Sequence, residues 1–404
     1  MTPIPLPVLG IDMLSDETQM PAGTVRAAVN VDIDRAGQPR RRQGRSLAIS
    51  GTDIGSLRKW GGALIAVSGT QVVSIDPATL AVTPLYTLQA HGDADYTEYN
   101  GDLYLATAYE LLRLRAGVVA PAGVRLPAAL PDVGPHSAGS LTPGQYTVAV
   151  SVVDAGGEES PAKIIGRVHT GAGLMLTGIP AGHTWRVYLS PPDGDALYLS
   201  EEFTSFMPQH VLGGYPLGAP CQTLHLQPMP GGHLVRAWGG RMFVARGDTL
   251  WYSEPLLPHL VAPRRGFIPF VGRIRLLEFV DGGAFVGDER GVWWLGGSDP
   301  TQYTTQLASE AVPVAMSGIT AAAHELGVAG GTSKTALWLS SHGYMLGAPG
   351  GQVTALNADR IRLAPEISGR TALITRDGTT QVITLTAAPG PASVFGLAID
   401  TQPQ

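Results

Sequence analysis

A single cysteine, Cys221, is present in the whole sequence, so a disulfide within one chain is excluded. Charged residues are scarce at 15%, and 44% of the residues are hydrophobic, which excludes an intrinsically disordered chain. No window approaches about 18 uninterrupted apolar residues, so we predict no membrane span. The first residues contain Pro3, Pro5 and Pro7 but no basic cluster. We therefore predict an extended arm over residues 1–24 rather than a secretory signal.

Glycine and proline are abundant instead, with 52 and 32 residues respectively. Both residues interrupt helices and favour turns, so turns should be frequent and long helices rare. The composition therefore predicts an all-β chain. A length of 404 residues allows two or three domains or one large repeat fold.

A short pattern recurs along the chain, in which a glycine turn precedes an alternating apolar strand. It occurs at KWGGALIAV, EYNGDLYLA, AWGGRMFVA and FVDGGAFVG, and weaker copies follow at ELGVAGGTSKTALWLSSHGYML and TRDGTTQVITLT. Gly62 and Gly101 are roughly 40 residues apart, as are Gly240 and Gly283, and this period with about four short strands is typical of one propeller blade. The segment 105–117 also fits helical spacing, but we assign it to two strands because its neighbours keep the register. We predict a β-propeller of about six four-stranded blades.

The interval between Gly101 and Gly240 exceeds one period by roughly a hundred residues, so something is inserted there. Inside it, Tyr146, Val148 and Val150 alternate strictly before a tight turn. Short alternating strands over this length predict an inserted immunoglobulin- or fibronectin-like β-sandwich. We therefore expect a closing hairpin and blades one and two in residues 25–130, the sandwich in residues 131–230 and the remaining blades in residues 231–404.

The stretch NVDIDRAGQPRRRQG, residues 30–44, is unusually basic for an acidic chain with a formal net charge of −6. Val31 and Ile33 alternate with polar residues, and AGQP supplies a turn, so we predict a hairpin whose second arm carries the arginines. The last unit, residues 360–400, shows only three clear strands. The hairpin could supply the missing strand and close the ring. On this interpretation the arginines lie on a solvent-facing strand.

These motifs together resemble a known family. The segment AAVNVDIDRAGQPRRRQG is similar to the N-terminal hairpin of propeller-bearing tail proteins of bacteriophages, in particular the nozzle or hub proteins of short-tailed phages. The segments YTVAVSVVDAGGEESP, WYSEPLLP and GVWWLGGSDPTQY also resemble their pattern. The motifs are short, and their order along nearly the whole chain carries the resemblance.

The resemblance implies a virion structural protein of a phage tail. Such a protein forms a ring, usually a homo-hexamer, below the portal and its adaptor, and the genome is ejected through it. The implied partners are further copies of the chain, the portal or adaptor, and other tail proteins including fibres. Double-stranded DNA would pass without specific binding. The implied location is the virion tail, after synthesis in the host bacterial cytoplasm.

The basic hairpin then gains a predicted role in assembly. A DNA conduit works best when its wall does not hold phosphates, because each neutralised phosphate adds salt-sensitive affinity. We therefore predict that Arg40, Arg41, Arg42 and Arg45 face away from the DNA. Their guanidinium groups would pair with carboxylates on a neighbouring subunit or the adaptor.

No catalytic, cofactor-binding or metal site is predicted, and we do not expect an enzyme. GGTSKT lacks the glycine that a P-loop needs before its lysine, the ten histidines show no zinc-ligand spacing, and no G-x-S-x-G elbow occurs. The carboxylate pairs are assigned to solvated turns; they are Glu158 with Glu159, Asp193 with Asp195, and Glu201 with Glu202.

A second hypothesis is a carbohydrate-binding or carbohydrate-cleaving propeller. It would use tryptophans as stacking platforms, namely Trp60, Trp238, Trp251, Trp293 and Trp294. Trp60 and Trp238 hold equivalent places before glycine turns, and adjacent tryptophans in a strand point to opposite faces. These features favour the interpretation that the tryptophans are core residues at repeated positions.

Overall fold

The computed structural model describes residues 10–27, 31–33, 38–41, 47–49, 53–214, 218–358, 360–363, 367–376, 379–387 and 393–399. Across these residues the chain is all-β, as predicted, and its helical elements are two short 3-10 helices, Pro300–Gln302 and Ala323–Leu326. No helix in the described ranges is long and apolar enough to span a bilayer.

The N-terminal segment forms a compact loop. Strands β1 (Gly10–Ile11) and β2 (Thr24–Val25) pair in parallel. The buried carboxylate of Asp12 accepts hydrogen bonds from the backbone N–H groups of Leu14 and Ser15, both at 2.9 Å, and these bonds hold the turn after β1. The predicted extended arm is therefore wrong for residues 10–24, and residues 1–9 lie outside the described part.

The basic segment forms the predicted hairpin. Strands β3 (Val31–Ile33) and β4 (Pro39–Arg41) pair antiparallel as a two-stranded sheet of their own. Among the described residues neither strand pairs with the last sheet of the chain. The expectation that the hairpin closes that sheet is therefore not met in this part of the structure.

Two four-stranded antiparallel sheets follow. Sheet 1 contains β5 (Ile54–Trp60), β6 (Ala63–Ser68), β7 (Gln71–Ile75) and β8 (Val82–Thr87). Sheet 2 contains β9 (Asp95–Tyr99), β10 (Asp102–Ala106), β11 (Leu111–Arg115) and β12 (Val118–Pro121). Residues 105–117 are thus divided between two strands, as predicted.

The predicted insert, residues 131–230, contains two sheets around a common core. The first has the order β13 (Asp132–His136), β16 (Gly173–Thr177), β19 (Gln209–Leu212). The second has the order β15 (Lys163–Thr170), β14 (Gly144–Val153), β17 (Thr184–Leu189), β18 (Tyr198–Thr204). Alternate residues of β14, including Tyr146 and Val148, face a core that Leu174 and Leu212 of the other sheet complete. The strand predicted from alternation therefore pairs inside the insert.

The remaining chain forms four more sheets. Sheet 3 contains β21 (Leu234–Trp238), β22 (Arg241–Arg246), β23 (Thr249–Tyr252) and β25 (Phe267–Pro269), while β20 (Gln227–Pro228) pairs with β24 (Leu260–Val261). Sheet 4 contains β26 (Leu276–Val280), β27 (Gly283–Asp288), β28 (Gly291–Gly296) and β29 (Thr304–Ser309). Sheet 5 contains β30 (Ile319–Ala322), β31 (Lys334–Ser340), β32 (Gly343–Gly347) and β33 (Val353–Ala355). Sheet 6 has three strands in the described residues, β34 (Ser368–Arg376), β35 (Thr379–Ala387) and β36 (Ser393–Ile399).

Consecutive sheets pack face to face and share one hydrophobic core per pair. Representative buried pairs are Val72 with Leu103 for sheets 1 and 2, Tyr104 with Met242 for sheets 2 and 3, Phe243 with Phe279 for sheets 3 and 4, Phe285 with Trp338 for sheets 4 and 5, and Leu339 with Val382 for sheets 5 and 6. Strands between two such cores, such as β10 and β27, are buried along their whole length. Apart from one terminal aspartate in each, Asp102 in β10 and Asp288 in β27, their sequences are continuous apolar runs rather than alternating ones.

The row of sheets curves back on itself. Each of β9, β21, β26, β30 and β34 is the first strand and one edge of its sheet. Arg370 of β34 donates to Asp95 of β9 at 2.8 Å, which joins sheet 6 to sheet 2. Arg58 of β5 lies 3.3 Å from Glu98 of β9. A curved row of face-packed antiparallel sheets is the packing found in a β-propeller.

Glycine turns connect the first two strands of several sheets. Gly62, Gly101 and Gly240 have φ of +87°, +83° and +73°, and the residue before each also has a positive φ. Two successive positive φ values favour the hairpin turn that matches strand twist. In sheet 4 the equivalent residue is Gly282, with φ of +84°, rather than the Gly283 of the sequence repeat. Gly283 instead makes room for the ring of Trp294, which a Cβ would approach to 2.6 Å.

Candidate functional site

The predicted arginine cluster is only partly described. Arg40 and Arg41 lie on β4, where their backbones are opposite Asp32 and Val31 of β3. Arg41 is exposed to solvent. Arg42 and Arg45 lie outside the described residues. The assignment of these four arginines to contacts between subunits or with an adaptor stays a prediction.

A second charged group, which the sequence did not single out, lies along the inner edges of the sheets. We call Asp95, Arg236, Glu278 and Arg370 the axial network. The side chain of Asp95 is only 7% exposed and accepts from Arg236 at 2.6 Å, from Arg370 at 2.8 Å and from the backbone N–H of Val235 at 2.9 Å. Burial alone would raise the pKa of Asp95, but the two guanidinium groups hold it below its usual value.

The network continues from sheet 3 into sheets 4 and 5. Arg236 also donates to Glu278, with an Nη2 to Oε1 distance of 2.5 Å, and the Glu278 side chain is 3% exposed. Thr320 of β30 donates its hydroxyl to Glu278 at 2.9 Å. Burial would lower the pKa of Arg236, yet Asp95 and Glu278 raise it, so the guanidinium stays charged. Opposite charges on the inner strands therefore neutralise one another and join sheets 2 to 6.

A third charged group lies where the insert meets sheet 2. We call Asp102, Arg113, Arg115, Asp154 and Glu158 the junction cluster. The loop after β14 projects Glu158 onto Arg113, and the two side chains form an ion pair while 16% and 11% exposed. Arg115 lies 2.6 Å from Asp102 and 3.9 Å from Glu158. The cluster joins the insert to β11 through charges that are mostly removed from water.

A further contact fixes the same loop. The buried ring of His259, which follows β23 in the chain, lies with Nε2 3.0 Å from the carbonyl oxygen of Glu159, a geometry in which the ring nitrogen donates. Gly123 approaches that ring so closely that a Cβ there would lie 2.5 Å from it. The insert therefore contacts sheet 2 through the arginines of β11. It also contacts the chain between β23 and β24 through His259.

The side chain of Glu159 is directed into the insert. It accepts from the hydroxyl groups of Ser151 and Tyr188, each at 2.6 Å, from Thr223 at 3.0 Å and from Arg186 at 2.9 Å. Burial, and then the bond to Glu159, raise the pKa of Tyr188. Both carboxylate oxygens of Glu159 therefore accept hydrogen bonds from side chains within the insert.

The interpretation of the carboxylate pairs as solvated turns needs correction. Glu158 and Glu159 lie in a turn, but both are largely buried and paired. Glu201 and Glu202 lie within β18 rather than in a turn, and Arg186 lies 2.7 Å from Glu202. Sequence reasoning missed these pairings because the arginines that make them come from other strands, up to 45 residues away.

The tryptophans do not form one stacking surface in the described part of the chain. Trp60 packs into the core of sheets 1 and 2, Trp251 into that of sheets 2 and 3, and Trp238 into that of sheets 3 and 4, where it stacks on Phe279 at 5.2 Å. Trp294 is 6% exposed in the core of sheets 4 and 5. The guanidinium of Arg290 lies 5.6 Å from the ring of Trp293. Trp60 and Trp238 occupy equivalent positions at the ends of β5 and β21, which agrees with the prediction that they are core residues.

Within the described residues, no three histidine, cysteine, aspartate or glutamate side chains are grouped as a metal site would require. Cys221 is half-buried in the insert, and burial raises the pKa of its thiol. Such a thiol is less readily ionised and therefore less reactive than an exposed one.

Comparisons with known proteins give no assignment. No protein-family model matches the sequence, and no curated protein matches it. Among solved structures, the Neurospora crassa Pan2 WD40 domain overlaps with a TM-score of 0.33 at 8% identity, covering 82% of this chain and 85% of that one. BBS1N in complex with ARL6DN overlaps with a TM-score of 0.32 at 13% identity, covering 81% and 88%. Apo AztD from Citrobacter koseri gives 0.31 at 11% identity, covering 76% and 72%. Overlaps this weak carry no argument, so the architecture rests on the sheet order and shared cores described above.

Proposed function

We propose that this protein is a structural component of a bacteriophage tail, whose copies form a nozzle or hub ring below the portal and adaptor. We further propose that its six sheets are the blades of one propeller and that the insert is an immunoglobulin-like sandwich. The resemblance of the basic hairpin, and of the motif order along the chain, supports the tail assignment.

One observation carries the structural class, which is that the buried carboxylates of Asp95 and Glu278 are both held by arginine. Asp95 and Glu278 join sheets, and Glu158 joins the insert to sheet 2. A general acid or base must exchange protons with a substrate, and Asp95 and Glu278, which arginine holds at both oxygens, are poorly suited to that task. The same pairs make the sheets and the insert resist displacement. This arrangement favours a mechanical role over hydrolysis.

The axial network also bears on where a genome would pass. Its side chains lie across the inner edges of sheets 2 to 6, and the cross-link from Arg370 to Asp95 spans that region. A DNA duplex would therefore run between copies rather than through a single propeller. With a formal charge of −6 per copy, the assembled wall would hold phosphates weakly.

The test begins with purified virions and recombinant protein. We expect mass spectrometry and antibody labelling to place the protein in the tail, and negative-stain images to show rings. Absence from virions, or normal infectious particles from a phage that lacks the gene, would refute the proposal. A glycan array tests the carbohydrate hypothesis, and specific binding there would favour it instead.

The basic hairpin gives a sharper version of this test. Replacing Arg40, Arg41 and Arg42 with serine should reduce incorporation into particles while the isolated subunit keeps its melting temperature. Normal incorporation with impaired genome ejection would place these arginines on the channel wall.

A matched control removes the same number of positive charges elsewhere. Arg246, Arg264 and Arg273 are exposed, so their triple replacement with serine alters net charge equally. If the control lowers incorporation as much as the hairpin variant, the effect belongs to net charge and not to the hairpin.

A further inference from the structure

The outer edges of the sheets differ in how well they are protected against pairing with another strand. The outermost strands of sheets 1, 2 and 3 contain Pro84, Pro121 and Pro269 respectively, and β33 of sheet 5 has three residues. Proline offers no N–H to an incoming strand, and a very short edge strand can form only a few hydrogen bonds with that strand. These four edges are therefore poor sites for strand addition.

In the insert, the four-stranded sheet that contains β14 protects its edges by charge instead. Its edge strand β18 carries Glu201 and Glu202, and the other edge of that sheet, β15, carries Lys163 and Arg167. Charged side chains on an edge strand oppose pairing with a neighbouring sheet.

Strand β29 of sheet 4 lacks all of these devices. It has six residues, TTQLAS, with neither proline nor charge, and it is the outer edge of its sheet in the described structure. Residues 304–307 are exposed and pair with β28 in an unbroken register, and Leu307 is 45% exposed. The bulge in this pair falls only after Leu307. Alternate N–H and C=O groups of such a strand face outward and remain available to a partner.

The same chain contains a second edge of this kind. Sheet 6 has one strand fewer than the four found in each of the other five sheets, within the described part of the structure. Its outer strand β36 spans seven residues, SVFGLAI, again without proline or charge. The place next to β36 is the one that a fourth strand occupies in the other sheets.

We propose that β29 of one copy pairs with β36 of a second copy and so completes sheet 6 between subunits. Two different edges on one chain make a head-to-tail contact, and such contacts close into rings when the rotation allows it. Both edges are uncharged, so no like charges oppose each other across the pair. The inference rests on the proposed ring for its biological setting, but it concerns only the contact between copies.

The test measures association of the purified full-length chain. Thr305→Lys places a charge on the exposed part of β29, and we expect it to raise the concentration for half-association by about tenfold or more. Thr83→Lys is the matched control, because Thr83 is an exposed residue of the protected edge strand β8. Mass photometry over a concentration series gives the association state, and circular dichroism shows that each variant is folded.

Cross-linking identifies the partner strand. In a Cys221→Ser background, Thr305→Cys and Ala398→Cys are made as separate proteins, mixed, and treated with a flexible bismaleimide. We expect a cross-linked dimer from the mixture, and less from either protein alone. A cross-link formed equally well by Thr305→Cys alone would show β29 pairing with itself and would overturn the assignment to β36.

The remaining outcomes are also decisive. A wild-type chain that stays monomeric at all concentrations, or a Thr305→Lys variant that associates like the Thr83→Lys control, would overturn the inference. Neither result removes the protein from the tail, because that proposal depends on its presence in virions. Conversely, a protein absent from virions could still associate through β29 and β36.

Discussion

Removal of Arg236 should be one of the most damaging single changes in the charged interior. Arg236 lies between Asp95 and Glu278, whose side chains are 7% and 3% exposed. Arg236→Ala leaves Glu278 without its arginine and Asp95 with only the half-exposed Arg370. Loss of one partner from a buried ion pair costs about 3–5 kcal/mol. We therefore expect a loss of that size in the free energy of unfolding, and a fall in melting temperature of about 4–6 °C for a chain of 404 residues.

The assay is urea unfolding followed by tryptophan fluorescence, with calorimetry to check for a single transition. Arg58→Ala is the control, because Arg58 and its partner Glu98 are 46% and 55% exposed. An exposed pair of this kind contributes about 0–1 kcal/mol. If Arg236→Ala costs no more than Arg58→Ala, the axial network does not hold the sheets together and the reasoning fails.

A compensated variant separates charge burial from packing. Asp95→Asn, Arg236→Met and Glu278→Gln together remove the charges of both buried carboxylates, so they should recover part of the loss seen with Arg236→Ala alone. No recovery would mean that the shape of the arginine, and not its charge, stabilises the inner strands.

Three further results are expected. Glu158→Gln should loosen the junction and speed limited proteolysis between the insert and the sheets, while Glu98→Gln, at an exposed pair, should leave the digest unchanged. Burial lowers the pKa of His233, so below about pH 6.5 the unfolded chain binds a proton that the folded chain does not. The free energy of unfolding should therefore fall as pH drops through that range. His233→Gln should flatten this pH dependence. Gly347→Ala would place a Cβ 2.6 Å from the ring of Phe285 and should lower the free energy of unfolding by about 1–3 kcal/mol. Gly92→Ala is the control, because a Cβ there meets nothing within 4 Å, and it should change that free energy by less than about 0.5 kcal/mol. Equal effects of the two alanines, or an unchanged pH profile, would contradict these assignments.

Much of the fold could be predicted because its signals are local. Alternation from Tyr146 to Val152 specified a strand, and the interval between Gly101 and Gly240 predicted an insert. Both features depend on residues a few positions apart or on a count along the chain. The extended N-terminal arm was wrong because the carboxylate of Asp12 caps a turn that the prolines alone do not reveal.

The charged site could not be predicted in the same way. Nothing near Asp95 in sequence distinguishes it from a solvated turn residue, and its partner Arg370 is 275 residues away. Whether a carboxylate is buried and paired depends on which strand edges meet when the sheets pack, and that is settled by the whole array. The sequence alone determined strands and turns, because backbone conformation responds to neighbouring residues. Only the tertiary structure decided which charges are neutralised and which strand edges stay open, because both depend on contacts between segments far apart in the chain.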